Sequence, residues 1–334
     1  MLRVFGWVVG VLVVLAIGLY AFAQLTPWPS ALMIRMSFEK GAEEATAEMA
    51  KYVPDGVASV MNVNYDPGDS RAYLDVYYPA DIEGTERTLP TIVWIHGGAW
   101  ISGRREDVTN YIKILASHGY TTVTVDYTIA PEAQYPTPMR QINAALGYLK
   151  DNAAALHIDE SRFILAGDSA GGQLAAQMAN IISVPSYAEA VGIAPSLERE
   201  RLAAVLLYCG AYDIGAVNLD GDFGGFLRTV MWAYSGTRDF LNDPAFMTAS
   251  VYDYITGAFP PSFITAGNAD PLEEQSRLLA DKLTSQGVLV DALFYPVDFE
   301  PALGHEYQFR LDTTAAQDAL QRTLQFLSEN VPRD

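Results

Sequence analysis

The stretch FILAGDSAGGQLAAQMA, residues 163–179, decides the fold. It begins as a short apolar run, Phe163 to Ala166, of the kind that forms a strand covered on both faces. It ends in good helix formers with apolar residues at helical spacing, Gln173 to Met178. Between the two lies Gly167-Asp168-Ser169-Ala170-Gly171, a match to G-x-S-x-G. In that motif a serine sits on a strained strand-to-helix turn, and the glycines leave room for the two elements to pass closely. A serine held there projects its hydroxyl into open space. Whether that oxygen is a nucleophile depends on partners elsewhere in the chain.

Working outward, the same alternation recurs. Two strands, VASVMNVNYD and RAYLDVYYP, flank the turn Asp66-Pro67-Gly68-Asp69. Strand TIVWIHGG, a helix from Arg105, strand TTVTVDY and a helix from Pro138 then lead into the opening stretch. Beyond it come strand AAVLLYCG, an insertion at 211–261, strand SFITAG, helix PLEEQSRLLADKLTSQG, strand VLVDALFYP and a last helix from Thr314. Antiparallel strands followed by alternating strand and helix predict a mostly parallel, doubly wound sheet with flanking helices. Such insertions usually carry lids or pocket walls, and this one holds Phe226, Trp232 and Tyr234. Those three, with Trp100, are the candidate pocket walls, although aromatics at such spacing more commonly serve the core.

Sheets of this class bind ligands beyond the carboxyl ends of their strands. The polar residues there are His96-Gly97-Gly98-Ala99-Trp100, Ser169, Asn268-Ala269-Asp270 and Gly304-His305-Glu306. A serine needs a base to take its proton. Of the four histidines, His118 and His157 read as surface or capping residues and His96 belongs to a glycine-rich turn, which leaves His305. Asp270, the first carboxylate after its strand, is the orienting acid, with Asp298 and Glu300 as rivals near His305. Helix capping by Asp270 is compatible with that role, since the two use different atoms. Gly97 and Gly98 allow backbone N–H groups to approach a developing oxyanion, and the Ala170 N–H adds a third.

The chain has 334 residues, half of them apolar, and a formal charge of −19. That acidity argues against a nucleic-acid partner and reads as a solvated, self-repelling surface. The one cysteine, Cys209, has apolar neighbours and reads as a buried, inert thiol. At the start, residues 4–23 form an uncharged run of 20 residues preceded by Arg3, long enough to cross a bilayer. We expect residues 1–23 to be an uncleaved membrane anchor with the remaining chain facing outside the cytoplasm. The alternative is a signal peptide cut after Ala21-Phe22-Ala23, giving a secreted or periplasmic protein. Residues 24–56 read as a linker and an amino-terminal helix, either packed on the catalytic unit or acting as a cap, and 57–334 as the catalytic unit.

The blocks VWIHGGAW, DYTIAPEAQYPTP, GDSAGGQLAAQMA, NADPL and the late histidine resemble bacterial α/β-hydrolase esterases near the hormone-sensitive-lipase and feruloyl-esterase-like families, from about residue 57 to the end. The chain order Ser169, Asp270, His305 is that of this superfamily. The resemblance implies a Ser169–Asp270–His305 triad, oxyanion donors at Gly97, Gly98 and Ala170, and a structural Asp168. It implies a serine carboxylesterase acting through an acyl-enzyme on small or medium acyl esters, with no metal or organic cofactor. Three positions depart from the lipase-like pattern. Ala99 replaces a third glycine, which with Trp100 is closer to the feruloyl-esterase-like and kynurenine-formamidase-like branch. Thr128 stands where an arginine is usual, and Glu306 follows the histidine in place of Gly-Phe. The rival readings are an amidase, arylformamidase-like, or peptidase on the same machinery, and a binding protein that reuses the fold. Oligomeric state is not legible in the sequence.

Overall fold

The computed structural model describes residues 2–221 and 223–332. Eight strands form one sheet: β1 Val57–Asn64, β2 Tyr73–Pro79, β3 Leu89–Ile95, β4 Thr121–Val125, β5 Ile158–Asp168, β6 Leu202–Tyr208, β7 Ser262–Ala266 and β8 Val290–Phe294. Their order is β1-β2-β4-β3-β5-β6-β7-β8. The β1–β2 and β2–β4 pairs are antiparallel and the others parallel. The helices are α1 Leu2–Leu25, α2 Trp28–Met49, α3 Thr109–Ser117, α4 Thr137–Asp151, α5 Ala170–Ser183, α6 Pro185–Val191, α7 Gly224–Ser235, α8 Pro244–Met247, α9 Glu273–Ser285 and α10 Thr314–Asn330.

The apolar runs lack alternation because helices cover both faces of the sheet. Val93 and Ile95 of β3, Leu165 of β5 and Val205 and Leu207 of β6 share one core with α4, α5 and α9. Their neighbours Ile92, Trp94, Ile164, Leu206 and Tyr208 join a second core with α3 and α10. Register then aligns the strand ends. Ile95 pairs with Gly167, Asp168 with Tyr208, Tyr208 with Thr265 and Ala266 with Phe294. The loops carrying His96, Ser169, Cys209, Gly267 and His305 therefore leave from one rim. Chain direction across the sheet reverses beside β3, which is where such sheets open a crevice.

The amino-terminal helix α2 is packed on the loops around the sheet. Arg35 is the main fastening: its guanidinium donates to the Ile101 carbonyl at 2.7 Å, the Ala130 carbonyl at 3.0 Å and both oxygens of Glu132 at 2.7 Å. Thr46 adds a hydroxyl donated to the Asp107 carbonyl, and Met49 is buried. The helix α1 before it includes Trp7–Leu25, long and apolar enough to cross a membrane.

Candidate active site

The serine lies where α5 starts, and local packing explains the surrounding glycines. A Cβ at Gly171 would overlap the Ile95 carbonyl oxygen and lie 2.6 Å from that of His96, so α5 can meet the end of β3 only at a glycine. A Cβ at Gly167 would overlap the Gly171 carbonyl. Between them Ser169 is forced to φ 52°, ψ −119°, a backbone conformation costly for a residue with a side chain. Its N–H donates to the Tyr208 carbonyl at 2.8 Å, which fixes the elbow to β6.

His305 comes from the loop after β8. Its Nε2 lies 2.9 Å from Ser169 Oγ and its Nδ1 2.8 Å from Asp270 Oδ2. A carboxylate can only accept, so Nδ1 carries the ring hydrogen and Nε2 is left to accept from the serine hydroxyl. Asp270 also caps: its Oδ1 accepts from the Leu272 N–H at 2.7 Å. Asp270 therefore meets the start of its helix with one oxygen and His305 with the other. The rivals Asp298 and Glu300 are exposed to solvent.

The family profile BD-FAE matches residues 74–283. Carboxylesterase NlhH of Mycobacterium tuberculosis is 30% identical over 290 residues, which span 78% of this chain and 79% of that protein. The chain is a carboxylesterase of the BD-FAE family, with the α/β-hydrolase fold. Among solved structures, esterase B of Lactobacillus rhamnosis, inhibited by a C6-C4 SN3 compound, superposes with a TM-score of 0.76 at 25% identity, over 90% of this chain and 97% of that one. The hyperthermophilic esterase of Pyrobaculum calidifontis shares the fold, with a TM-score of 0.71 at 23% identity over 90% of this chain and 91% of that one.

Around the serine of this esterase the structure changes one expected donor. The Gly97 N–H is already donated to Asp168 Oδ2 at 2.9 Å, so it is not free for an oxyanion. Asp168, fully buried behind the elbow, takes Trp94 Nε1–H on its other oxygen at 2.7 Å. Among the described residues the N–H groups of Gly98 and Ala170 have no acceptor, and neither has that of Ala99, which sequence reasoning passed over. Ala99 stands at φ 53° and Gly98 at φ 106°, and this left-handed turn is what frees the two amides. Gly98 has no room for a side chain, since a Cβ there would overlap the Ser102 carbonyl.

Two expected pocket walls belong to the core instead. Trp100 and Tyr234 stack at 5.2 Å, both buried, with Trp100 Nε1–H donated to Gln173. Phe226 and Trp232 are half-buried: Phe226 packs 5.9 Å from Phe38 of α2, and the Arg238 guanidinium lies 4.1 Å over the Trp232 ring. Of the other histidines, His118 caps α3 as expected. His157 caps the turn Ala153–Leu156 as expected but is buried, with Nδ1 2.8 Å from the Arg87 carbonyl oxygen and its ring against Tyr78. His96 is buried with its ring stacked on Tyr127 at 4.3 Å.

Cys209 is buried as expected, but beside Asp270 and His305: its sulfur lies within 4.8 Å of ligand atoms of both. Burial pushes its thiol up to about 11, which leaves it protonated at neutral pH. Glu306 is the second unforeseen neighbour, with Oε1 3.8 Å from His305 Nε2. Burial, and then the Glu306 charge, push the Asp168 carboxyl well above the usual carboxylate range. For His305, burial opposes the imidazolium, yet the hydrogen bond to Asp270 and the Glu306 charge raise its pKa well above the ordinary histidine value. A histidine acting as general base works as neutral imidazole, so if His305 has that role its raised pKa places the acid limb of the kcat/KM profile above the usual histidine range. Glu306→Gln removes a negative charge beside Nε2 and is expected to move that limb to lower pH. A limb that stays put in a kcat/KM titration would show that the Glu306 charge does not reach the base.

Proposed function

We propose that Ser169 is the nucleophile, His305 its general base and Asp270 the group that holds His305, in hydrolysis of small or medium acyl carboxylic esters. The observation carrying this is the unbroken relay from Ser169 Oγ to His305 Nε2 and from Nδ1 to Asp270 Oδ2. Ser169 Oγ adds to the ester carbonyl as its proton passes to Nε2. The oxyanion that forms is held by the N–H groups of Gly98, Ala99 and Ala170, each such donor being worth about 3 kcal/mol. The imidazolium returns the proton to the departing alcohol, leaving Ser169 acylated. Water then attacks with His305 again as base, which releases the acid and restores the serine. Asp168, by occupying the Gly97 amide, holds the oxyanion loop against the elbow.

Short acyl chains are supported by the esterase B structure inhibited by a C4-C4 SN3 tributyrin phosphonate, which superposes with a TM-score of 0.74. A panel of p-nitrophenyl esters against the matching anilides tests the reading. The expected result is turnover of C2 to C6 esters at least a hundredfold above the anilides. Anilide turnover equal to ester turnover would favour the amidase reading.

We also read α1 as an uncleaved membrane anchor that keeps the catalytic unit outside the cytoplasm. The uncharged run and the exposure of its apolar side chains, such as Trp7 and Leu15, support this.

A further inference from the structure

The face of α2 turned away from the catalytic unit changes character along its length. Ala31, Ile34 and Arg35 face inward, with Ala31 buried and Arg35 holding the Ile101 carbonyl, and Phe38, 38% exposed, lies beside Phe226. Leu32, Met33 and Met36 lie on the opposite side, where residues three and four apart stack along a helix. They are 43%, 74% and 71% exposed. One turn further the exposed residues are Lys40, Glu43 and Glu44. The apolar part therefore covers about the first 12 Å of α2, at 1.5 Å per residue, and stops where the charges begin. It starts directly below α1, whose end is tied to the insertion by Arg238, donating to the Gln24 carbonyl at 2.5 Å. Phe223, at the entry to α7, is 56% exposed as well.

We propose that this apolar start of α2 lies in the lipid–water interface at the foot of α1, and that the esterase draws esters dissolved in the bilayer. This rests on the reading of α1 as an anchor. Continuity identifies lipid as the occupant: whatever solvates the exposed apolar surface of α1 also meets the next turns of the chain. A helix lying in an interface buries an apolar face, whereas one wholly in water has no use for an apolar end and a charged end on a single side. The net charge of −19 assigns the seat to apolar contact and not to attraction for anionic lipid. Through Arg35 the loop carrying Gly98 and Ala99 hangs directly on α2, which keeps the reacting centre close to that interface.

The test uses the full chain in phosphatidylcholine vesicles. Single reporters at Met33→Cys, Met36→Cys and Glu44→Cys carry a nitrobenzoxadiazole dye, and Cys209 is shielded by burial. Spin-labelled lipid is expected to quench the first two at least threefold more than the third, with no change on adding phosphatidylserine. The double variant Met33→Glu/Met36→Glu is expected to hydrolyse a vesicle-dissolved ester about tenfold more slowly, with p-nitrophenyl acetate turnover unchanged. Equal quenching at all three sites in protein that sediments with the vesicles would overturn the seat and leave the anchor standing. Protein that does not sediment would overturn both. Shielding of Met33 and Met36 that follows protein concentration and not lipid would make the patch a contact between copies and also overturn the proposal. Loss on both substrates would overturn the delivery of esters from lipid.

Discussion

Ser169→Ala is expected to lower kcat about 10⁴- to 10⁶-fold, because serine and histidine act as one unit and the amide donors alone retain little catalysis. The fold should survive, since Oγ has a single partner within the relay. A companion variant separates the chemistry from the backbone. At φ 52° and ψ −119°, Ser169 holds strain of about 1–3 kcal/mol. Glycine adopts that conformation freely but costs about 0.5–1 kcal/mol in unfolded-state entropy. Ser169→Gly should therefore be about 1 kcal/mol more stable than Ser169→Ala and equally inactive, as measured by thermal unfolding. A glycine variant less stable than the alanine one would mean the elbow is unstrained.

The second large effect is expected at Asp270. In Asp270→Asn the side chain has one oxygen for two donors, the Leu272 N–H and His305 Nδ1–H. With the oxygen kept by the cap, the new NH₂ faces Nδ1 and forces the ring hydrogen onto Nε2. That tautomer cannot accept from Ser169, and kcat should fall about 10⁴-fold with KM little changed. Because the cap remains, unfolding should shift by less than about 1 kcal/mol, whereas Asp270→Ala loses the cap and about 1 kcal/mol more. A kcat within tenfold of the parent would place the orienting acid elsewhere.

The sheet was legible because β3, β5 and β6 are short apolar runs covered on both faces, each ending in a polar or glycine-rich turn. The residues of the proposed triad follow the ends of β5, β7 and β8, so their chain order could be read from the sequence. What was not legible depends on contacts between separate turns. Nothing near Gly97 in sequence announces that its amide is taken by Asp168, a contact set by the Ile95–Gly167 pairing. The stacking of Trp100 on Tyr234 joins an oxyanion loop to an insertion, and aromatic spacing alone could not distinguish core from pocket wall. Cys209 reads as inert from its neighbours in the chain; only the adjacency of β6 and β7 puts it under His305. The exception with a signal was Glu306, a departure after the histidine that the structure places against Nε2 and the elbow.

Phosphonylation of Ser169, the same attack by Oγ made on phosphorus with loss of fluoride, tests the mechanism most directly. The intact esterase is treated with a fluorophosphonate ester, digested and sequenced by mass spectrometry. The expected result is one adduct, on the peptide carrying Ser169, formed in step with loss of ester hydrolysis and absent from Ser169→Ala. Folded, active protein that hydrolyses esters without labelling at Ser169, or that is labelled and inactivated at another residue, would contradict it.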